Sequence, residues 1–241
     1  MLRISEIFYS LQGEGLTIGV PSVFIRLGKC NLICGGKNTI KDKGLHNGAT
    51  WRCDTIEVWK KSKGIKYENI LSKDQIKALK NGSHLIFTGG EPLLHQDNII
   101  EYIEYLHKIN IKPFIEIETN GTIKPKDKLK ELINLFNVSP KLSNSGNSIN
   151  KIYKEEVIKD LIKSNSIFKF VINNNLDFDE LINLYQIIFK HKRQSIYLMP
   201  AGSDKNELMK TKILVADLCK KHYLKMTNRM HIEIWNKKTG V

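Results

Sequence analysis

Residues 83–119 read SHLIFTGGEPLLHQDNIIEYIEYLHKINIKPFIEIET, and they decide the fold. Residues 83–88 (SHLIFT) form a short apolar run rich in β-branched and aromatic side chains. Residues 113–119 (PFIEIET) alternate apolar and polar, so both stretches read as strands. Between them, 96–108 places Ile99, Ile100, Ile103 and Leu106 on one helical face. Strand, Gly-Gly turn, helix and strand in this order predict two parallel strands joined by a crossover helix.

The rhythm continues in both directions. Residues 22–27 (SVFIRL), 167–172 (IFKFVI), 195–199 (SIYLM) and 231–235 (HIEIW) also read as strands. Helical patterns fall at 73–80, 127–135, 151–164, 178–190 and 204–222. The expected architecture is α/β: an open, incomplete parallel barrel of about six β/α units. A closed eight-unit barrel typically needs ~250 residues and fits tightly into 241. No linker or repeat divides the chain, so one domain over residues 1–241 is expected. In such folds the chemistry sits beyond the C-terminal ends of the strands. That places the pocket at Gly28 to Cys30, Gly89 to Pro92, Asn120 and Gly121, Ser139 to Lys141, Asn173 to Asn175, and Pro200 to Gly202.

Composition limits the function. Hydrophobic residues are 41% and charged residues 26%, values of an ordinary globular chain rather than a disordered or fibrous one. No apolar run approaches the ~20 residues that span a bilayer, and the N-terminal MLRISEIFYSLQGEG has no secretory pattern. Four cysteines in a chain this long suit a reducing compartment, the cytoplasm, with thiols kept for ligation or catalysis. The net charge is +13, yet only five of the 38 basic residues are Arg (Arg3, Arg26, Arg52, Arg193 and Arg229). Scattered lysines without Arg forks or aromatic platforms favour compositional drift over a nucleic-acid surface, so no direct nucleic-acid contact is expected.

Cys30, Cys34 and Cys53 cluster near the end of the first strong strand. Three thiols there suit an iron–sulfur cluster with one open iron, a zinc site completed by His46, or plain buried cysteines. Cys219 lies within the helical pattern 204–222 and reads as core packing.

The order of motifs narrows the choice. Gln12-Gly13-Glu14-Gly15 is followed by Phe24-Ile25-Arg26-Leu27, Cys30-Asn31-Leu32-Ile33-Cys34, Cys53-Asp54-Thr55 and Thr88-Gly89-Gly90-Glu91-Pro92. Then come Glu118-Thr119-Asn120-Gly121, Ser139-Pro140-Lys141, Leu198-Met199-Pro200 and the tail from Trp235 to Val241. Together they resemble the radical S-adenosylmethionine (SAM) enzymes, and within them the 7-carboxy-7-deazaguanine synthase family. One feature departs from the family pattern: 18 residues, Gly35 to Arg52, separate the second and third cysteines. The polar, glycine-rich stretch 35–50 reads as an inserted loop beside the cluster. Such insertions cost roughly 0.6 kcal/mol of closure entropy per doubling of length.

The resemblance implies conversion of 6-carboxy-5,6,7,8-tetrahydropterin to 7-carboxy-7-deazaguanine with release of ammonia. It further implies a 4Fe–4S cluster on Cys30, Cys34 and Cys53, with SAM on its open iron. Arg52, Gly89, Gly90, Glu91, Glu118, Ser139, Pro140, Lys141, Met199 and Pro200 are the implied SAM contacts. Leu11, Gln12, Gly13, Glu14, Arg26 and Thr88 are the implied substrate contacts, with Arg26 a two-pronged clamp for the substrate carboxylate. Thr55 is the implied protein ligand for Mg²⁺, completed by substrate oxygens. An electron donor such as flavodoxin or ferredoxin and a homodimer are also implied. Two rival functions are a glycyl-radical-enzyme activase and a metal-stabilised nucleic-acid-binding protein.

Overall fold

The computed structural model describes residues 1–238; Thr239, Gly240 and Val241 of the tail lie outside the described residues. A single open sheet organises the chain. Its strands are β1 (Leu2–Leu11), β2 (Pro21–Leu27), β3 (Lys63–Ile65), β4 (His84–Gly89), β5 (Ile115–Thr119), β6 (Leu135–Val138), β7 (Ser166–Ile172), β8 (Ile196–Pro200) and β9 (Lys225–Met226). They lie in the order β3-β1-β2-β4-β5-β6-β7-β8-β9. Every pair from β2 through β9 is parallel, while β1 runs antiparallel to both β2 and β3. The two edge strands are short, and the sheet does not close.

Seven strands, β2 and β4 to β9, run parallel, and five of the six expected strands are among them. β6 supplies a unit where 127–135 had read as unbroken helix; that helix ends at Leu132 and the chain turns into LFNV. The stretch 231–235, expected as a strand, is instead the helix Met230–Trp235. Five alternating residues fit one helical turn as well as a strand. Here the helix buries Ile232, leaves Ile234 exposed and holds Glu233 against Lys212 and Asn228. The place beside β8 is taken by Lys225–Met226. The predicted helix 178–190 breaks at Tyr185 into Asn175–Leu184 and Gln186–Lys192, because the Tyr185 ring is drawn fully into the core against Phe170.

Alternation along the strands sorts the sheet into two faces. Val23, Ile25, Leu85, Phe87, Ile115, Ile117, Phe136, Phe168, Phe170 and Leu198 join the main core, with Ile99, Tyr102, Ile103 and Leu106 of helix Gln96–Lys108. Complete burial of each such Phe or Leu stabilises by about 1.5–3 kcal/mol. The opposite face is largely polar. Arg26, Thr88, Glu116, Glu118, Asn137 and Lys169 occupy it, over a small apolar floor of Leu135, Ile167 and Tyr197.

That polar face is filled by the loop between β1 and β2. Gly15 lies against Asn137, Ile167 and Lys169, and a Cβ there would stand 3.0 Å from the Asn137 Oδ1. The Thr17 hydroxyl donates to Glu116 at 2.9 Å, and the fully buried Glu116 also meets His84 (2.7 Å) and Asn137 (2.6 Å). A hydrogen-bonded polar core thus anchors the Gln-Gly-Glu-Gly loop inside the curved sheet.

Candidate functional site

At the C-terminal ends of the parallel strands lies a cavity of about 810 Å³. That is where strand topology predicts a site. Its wall includes Leu11, Gly13, Glu14, Arg26, Cys30, Cys34, Arg52, Cys53, Thr55, Thr88, Gly89, Gly90, Glu118, Ser139, Lys141 and Met199. These span most of the chain, and only the fold brings them together. Gln12, Glu91, Pro140 and Pro200 are outside that wall.

The cysteine side begins where β2 ends. The backbone N–H of Cys53 donates to the Cys34 carbonyl at 3.2 Å, so the long loop between them returns to its starting point. Burial pushes the Cys30 thiol up to about 11 and the Cys34 thiol up to about 12. Cys53 adds to the rise at both, and Cys30 adds to that of Cys34, so the three sulfurs lie within electrostatic reach. Leu32 and Ile152 back them with apolar surface. Three thiols lining one cavity are the donor set that a 4Fe–4S cluster with one open iron would take. Among the described residues, no three His, Cys, Asp or Glu side chains close tightly enough to grip a single ion. Asn31, Asn120 and Thr122 form a hydrogen-bonded ring that ties the cysteine loop to the end of β5.

The inserted stretch 35–50 forms a rim. It is mostly exposed, and Lys43, Leu45 and Thr50 face the cavity. Gly35 N–H donates to the Ser145 carbonyl (2.9 Å) and Thr50 N–H to the Asn144 carbonyl (2.9 Å). The Trp51 indole donates to the Asn144 side chain (3.0 Å). His46 is engaged by Asp42 at 2.8 Å. Arg52 donates to Thr39 (3.0 Å) and pairs with Glu57.

Gly89 and Gly90 cross the floor of the cysteine loop. Glu91 beyond them is fully buried. It accepts from the Leu93 N–H (3.0 Å), the Thr119 hydroxyl (2.8 Å) and the Asn120 N–H (2.7 Å). Burial raises its carboxyl above the usual carboxylate range, and its oxygens cap a turn inside the protein. Ser139 accepts from the Lys141 ammonium at 2.9 Å, and that ammonium lies over the Trp51 ring.

The opposite wall carries the charges. Arg26 donates through Nε to Glu6 at 2.6 Å, its neighbour across β1 and β2, and stacks on Phe8. Its two terminal nitrogens have no protein partner among the described residues. Glu14 is held by Lys169 (3.1 Å) and Arg229 (3.1 Å). Burial alone would raise its carboxyl, but these two cations outweigh burial and hold it well below the usual range. Glu118 accepts from Gln12 (3.1 Å) and Lys169 (3.4 Å), with the Thr88 hydroxyl 3.5 Å away. Thr55 begins the helix Ile56–Trp59, with its hydroxyl 3.4 Å from the Cys53 sulfur.

Sequence reasoning missed Lys169, Arg229, His231 and Asp54, all in the cavity wall. Arg229 joins three loops: Nε to Glu14, NH2 to Asp54 (3.1 Å) and NH1 to the Gly202 carbonyl (2.6 Å). His231 packs on Gly13, where any side chain would strike its ring. Lys169 was visible as a lone cation in the apolar strand IFKFVI, the pattern that singled out Arg26.

No protein-family model matches the chain. The 7-carboxy-7-deazaguanine synthase of Pyrobaculum aerophilum is 30% identical over 243 residues, covering 99% of this chain and 97% of that protein. The namesake enzyme of Halobacterium salinarum is 29% identical, covering 98% and 91%. That of Clostridium acetobutylicum is 31% identical, covering 82% and 80%. The crystal structure of QueE from Escherichia coli superposes with a TM-score of 0.65 at 24% identity, covering 95% of this chain and 94% of that one, and speaks for the fold.

Proposed function

The chain belongs to the 7-carboxy-7-deazaguanine synthase family of radical SAM lyases, and we propose that its cavity converts 6-carboxy-5,6,7,8-tetrahydropterin to 7-carboxy-7-deazaguanine with release of ammonia. The observation that carries this reading is the meeting of three thiols, a Gly-Gly strip and a polar charged wall in one cavity. An activase of a glycyl-radical enzyme needs a docking surface for a protein, and a nucleic-acid reader needs a basic face; neither needs this enclosed wall.

When bound, a reduced 4Fe–4S cluster on Cys30, Cys34 and Cys53 supplies the electron that cleaves SAM and starts hydrogen abstraction from the substrate. The chain's own residues bind and orient. The backbone at Gly89 and Gly90, with Ser139, Lys141 and Met199, forms the SAM side. Glu118 stands between the two halves, within reach of either ligand. Gly13 and Glu14 form the substrate side, with Glu14 accepting from the amine edge of the pterin. Arg26 faces the substrate carboxylate. The rim 35–50 shields the reacting centre from water. Thr55 offers one neutral hydroxyl, too weak alone to strip water from Mg²⁺. Thr55 would hold the ion together with substrate oxygens. An external one-electron donor, a homodimer and a cytoplasmic setting belong to the same reading.

The test is anaerobic incubation with SAM, a reductant and the tetrahydropterin, with and without Mg²⁺, reading products by mass. The expected products are 7-carboxy-7-deazaguanine and ammonia, with the yield raised by Mg²⁺. SAM cleavage without the deazaguanine would overturn the substrate assignment.

Arg26→Lys keeps a charge but loses the fork that a carboxylate favours. Calorimetry is expected to show substrate binding weaker by about 1.5–3 kcal/mol, the range of a charged hydrogen bond, with SAM affinity unchanged. Equal substrate affinity would leave Arg26 as the partner of Glu6 alone.

A further inference from the structure

Lys169 is a buried ammonium in the middle of β7, 1% exposed, and it lines the cavity. Its Nζ lies 3.1 Å from Glu14 Oε2 and 3.4 Å from Glu118 Oε1. Those two carboxylates come from different elements, the β1–β2 loop and β5, and both face the cavity. A buried ion triad is a poor stabilising device, because desolvation offsets most of its Coulombic gain and an apolar core of equal volume does as well. The β7 position needs no cation for packing: its neighbours on the same face, Ile167 and Val171, are apolar.

We infer that Lys169 is a positioning residue that holds Glu14 and Glu118 side by side as two acceptors, and thereby selects a ligand presenting adjacent N–H donors, such as a 2-amino-pyrimidinone edge. The inference deepens the proposed function and rests on it. Two carboxylates facing one cavity repel each other; the Lys169 ammonium between them offsets that repulsion and fixes both, whereas Arg229 reaches Glu14 alone. Without the Lys169 charge the two part, and the N–H edge of the ligand loses its paired acceptors. Burial would lower the Lys169 ammonium, but Glu118 and Glu14 outweigh burial and keep it protonated. The surrounding contacts hold the pair rigid. Arg229 occupies the second oxygen of Glu14, and Gln12 donates to Glu118. Gly15 packs against the Lys169 stem. Each carboxylate oxygen still has lone-pair capacity for a ligand donor.

The test compares affinities for 6-carboxytetrahydropterin and its 2-deamino analogue, measured anaerobically by calorimetry on the cluster-loaded, SAM-bound protein. Wild type is expected to prefer the amino form by about tenfold or more, the scale for a lost charged hydrogen bond. Lys169→Met, which keeps the volume but not the charge, is expected to bring the two affinities within about twofold of each other, the size of a lost preference. Lys169→Gln serves the same comparison if the Met variant fails to fold. Lys169→Arg is expected to retain the preference, and cluster absorbance is expected to stay unchanged throughout. A neutral variant that keeps the wild-type preference overturns the role of Lys169 alone. A wild-type protein that binds neither pterin overturns the proposed function, and this inference with it.

Discussion

Cys53→Ala is expected to lose the brown four-iron absorbance and to reduce SAM cleavage to background, while Cys219→Ala keeps both. Three thiolates leave one iron open for SAM. With two, the cluster would lack a ligand, and His46, the other candidate, is turned to Asp42 on the exposed rim. Cys53 is placed by the Cys53 N–H to Cys34 carbonyl bond and by the helix start at Thr55, so the long loop does not displace it. Cys219 is buried in helix Lys205–His222, within the main core and away from the cavity wall. Anaerobic reconstitution followed by iron analysis and a SAM-cleavage assay checks both variants. A Cys53→Ala protein with full iron, beside a His46→Ala protein without it, would move the third ligand to the histidine.

Much of this arrangement is legible in the sequence. The run 83–119 gives strand, helix and strand at β4, Gln96–Lys108 and β5, because burial on one face writes its period directly into the residues. β1 is hidden for a physical reason. Its pairing register slips between Ile4 and Glu6, so the alternation begun by Leu2 and Ile4 does not continue through the strand. β6 is only four residues and carries Asn137, whose side chain faces the polar interior rather than a core. Short strands with one inward polar residue have no distinct period.

The cysteine side of the site is legible for a different reason: its parts lie close together in sequence, in Cys30 to Cys34 and Cys53 to Thr55. The charged wall is not local. Glu14 and Arg229 are 215 residues apart, and Glu14 and Lys169 are 155 apart. Nothing in either neighbourhood announces the other. Lys169 is the exception in kind, since an isolated lysine in IFKFVI already asks what anion accompanies it. What the strand cannot say is that the anions are two, and that they face a cavity.

Gly90→Ala is expected to combine a loss of stability with a loss of cluster. A Cβ at Gly90 would stand 1.9 Å from the Lys29 carbonyl oxygen, 2.4 Å from its carbon and 2.9 Å from the Cys30 Cβ. The first two are backbone atoms and cannot rotate away. The turn they belong to is already constrained: Lys29 sits in the left-handed region with φ 67°, Gly90 N–H donates to Leu27, and Glu91 N–H donates to the Lys29 carbonyl. Relief therefore comes only by shifting Lys29, and Cys30 is the next residue. Overpacking against backbone is expected to destabilise by about 1–3 kcal/mol or more, and the same shift draws one thiol away from the other two. Gly82→Ala is the comparison, because at φ 95° its Cβ meets nothing within 4 Å. It carries only the left-handed strain, about 1–2 kcal/mol, with iron content unchanged. Denaturant unfolding of the apo proteins separates the stabilities, and iron per chain after reconstitution separates the sites. If Gly90→Ala takes up full iron and binds SAM as wild type does, the narrow passage between Gly90 and Lys29 has no part in placing Cys30.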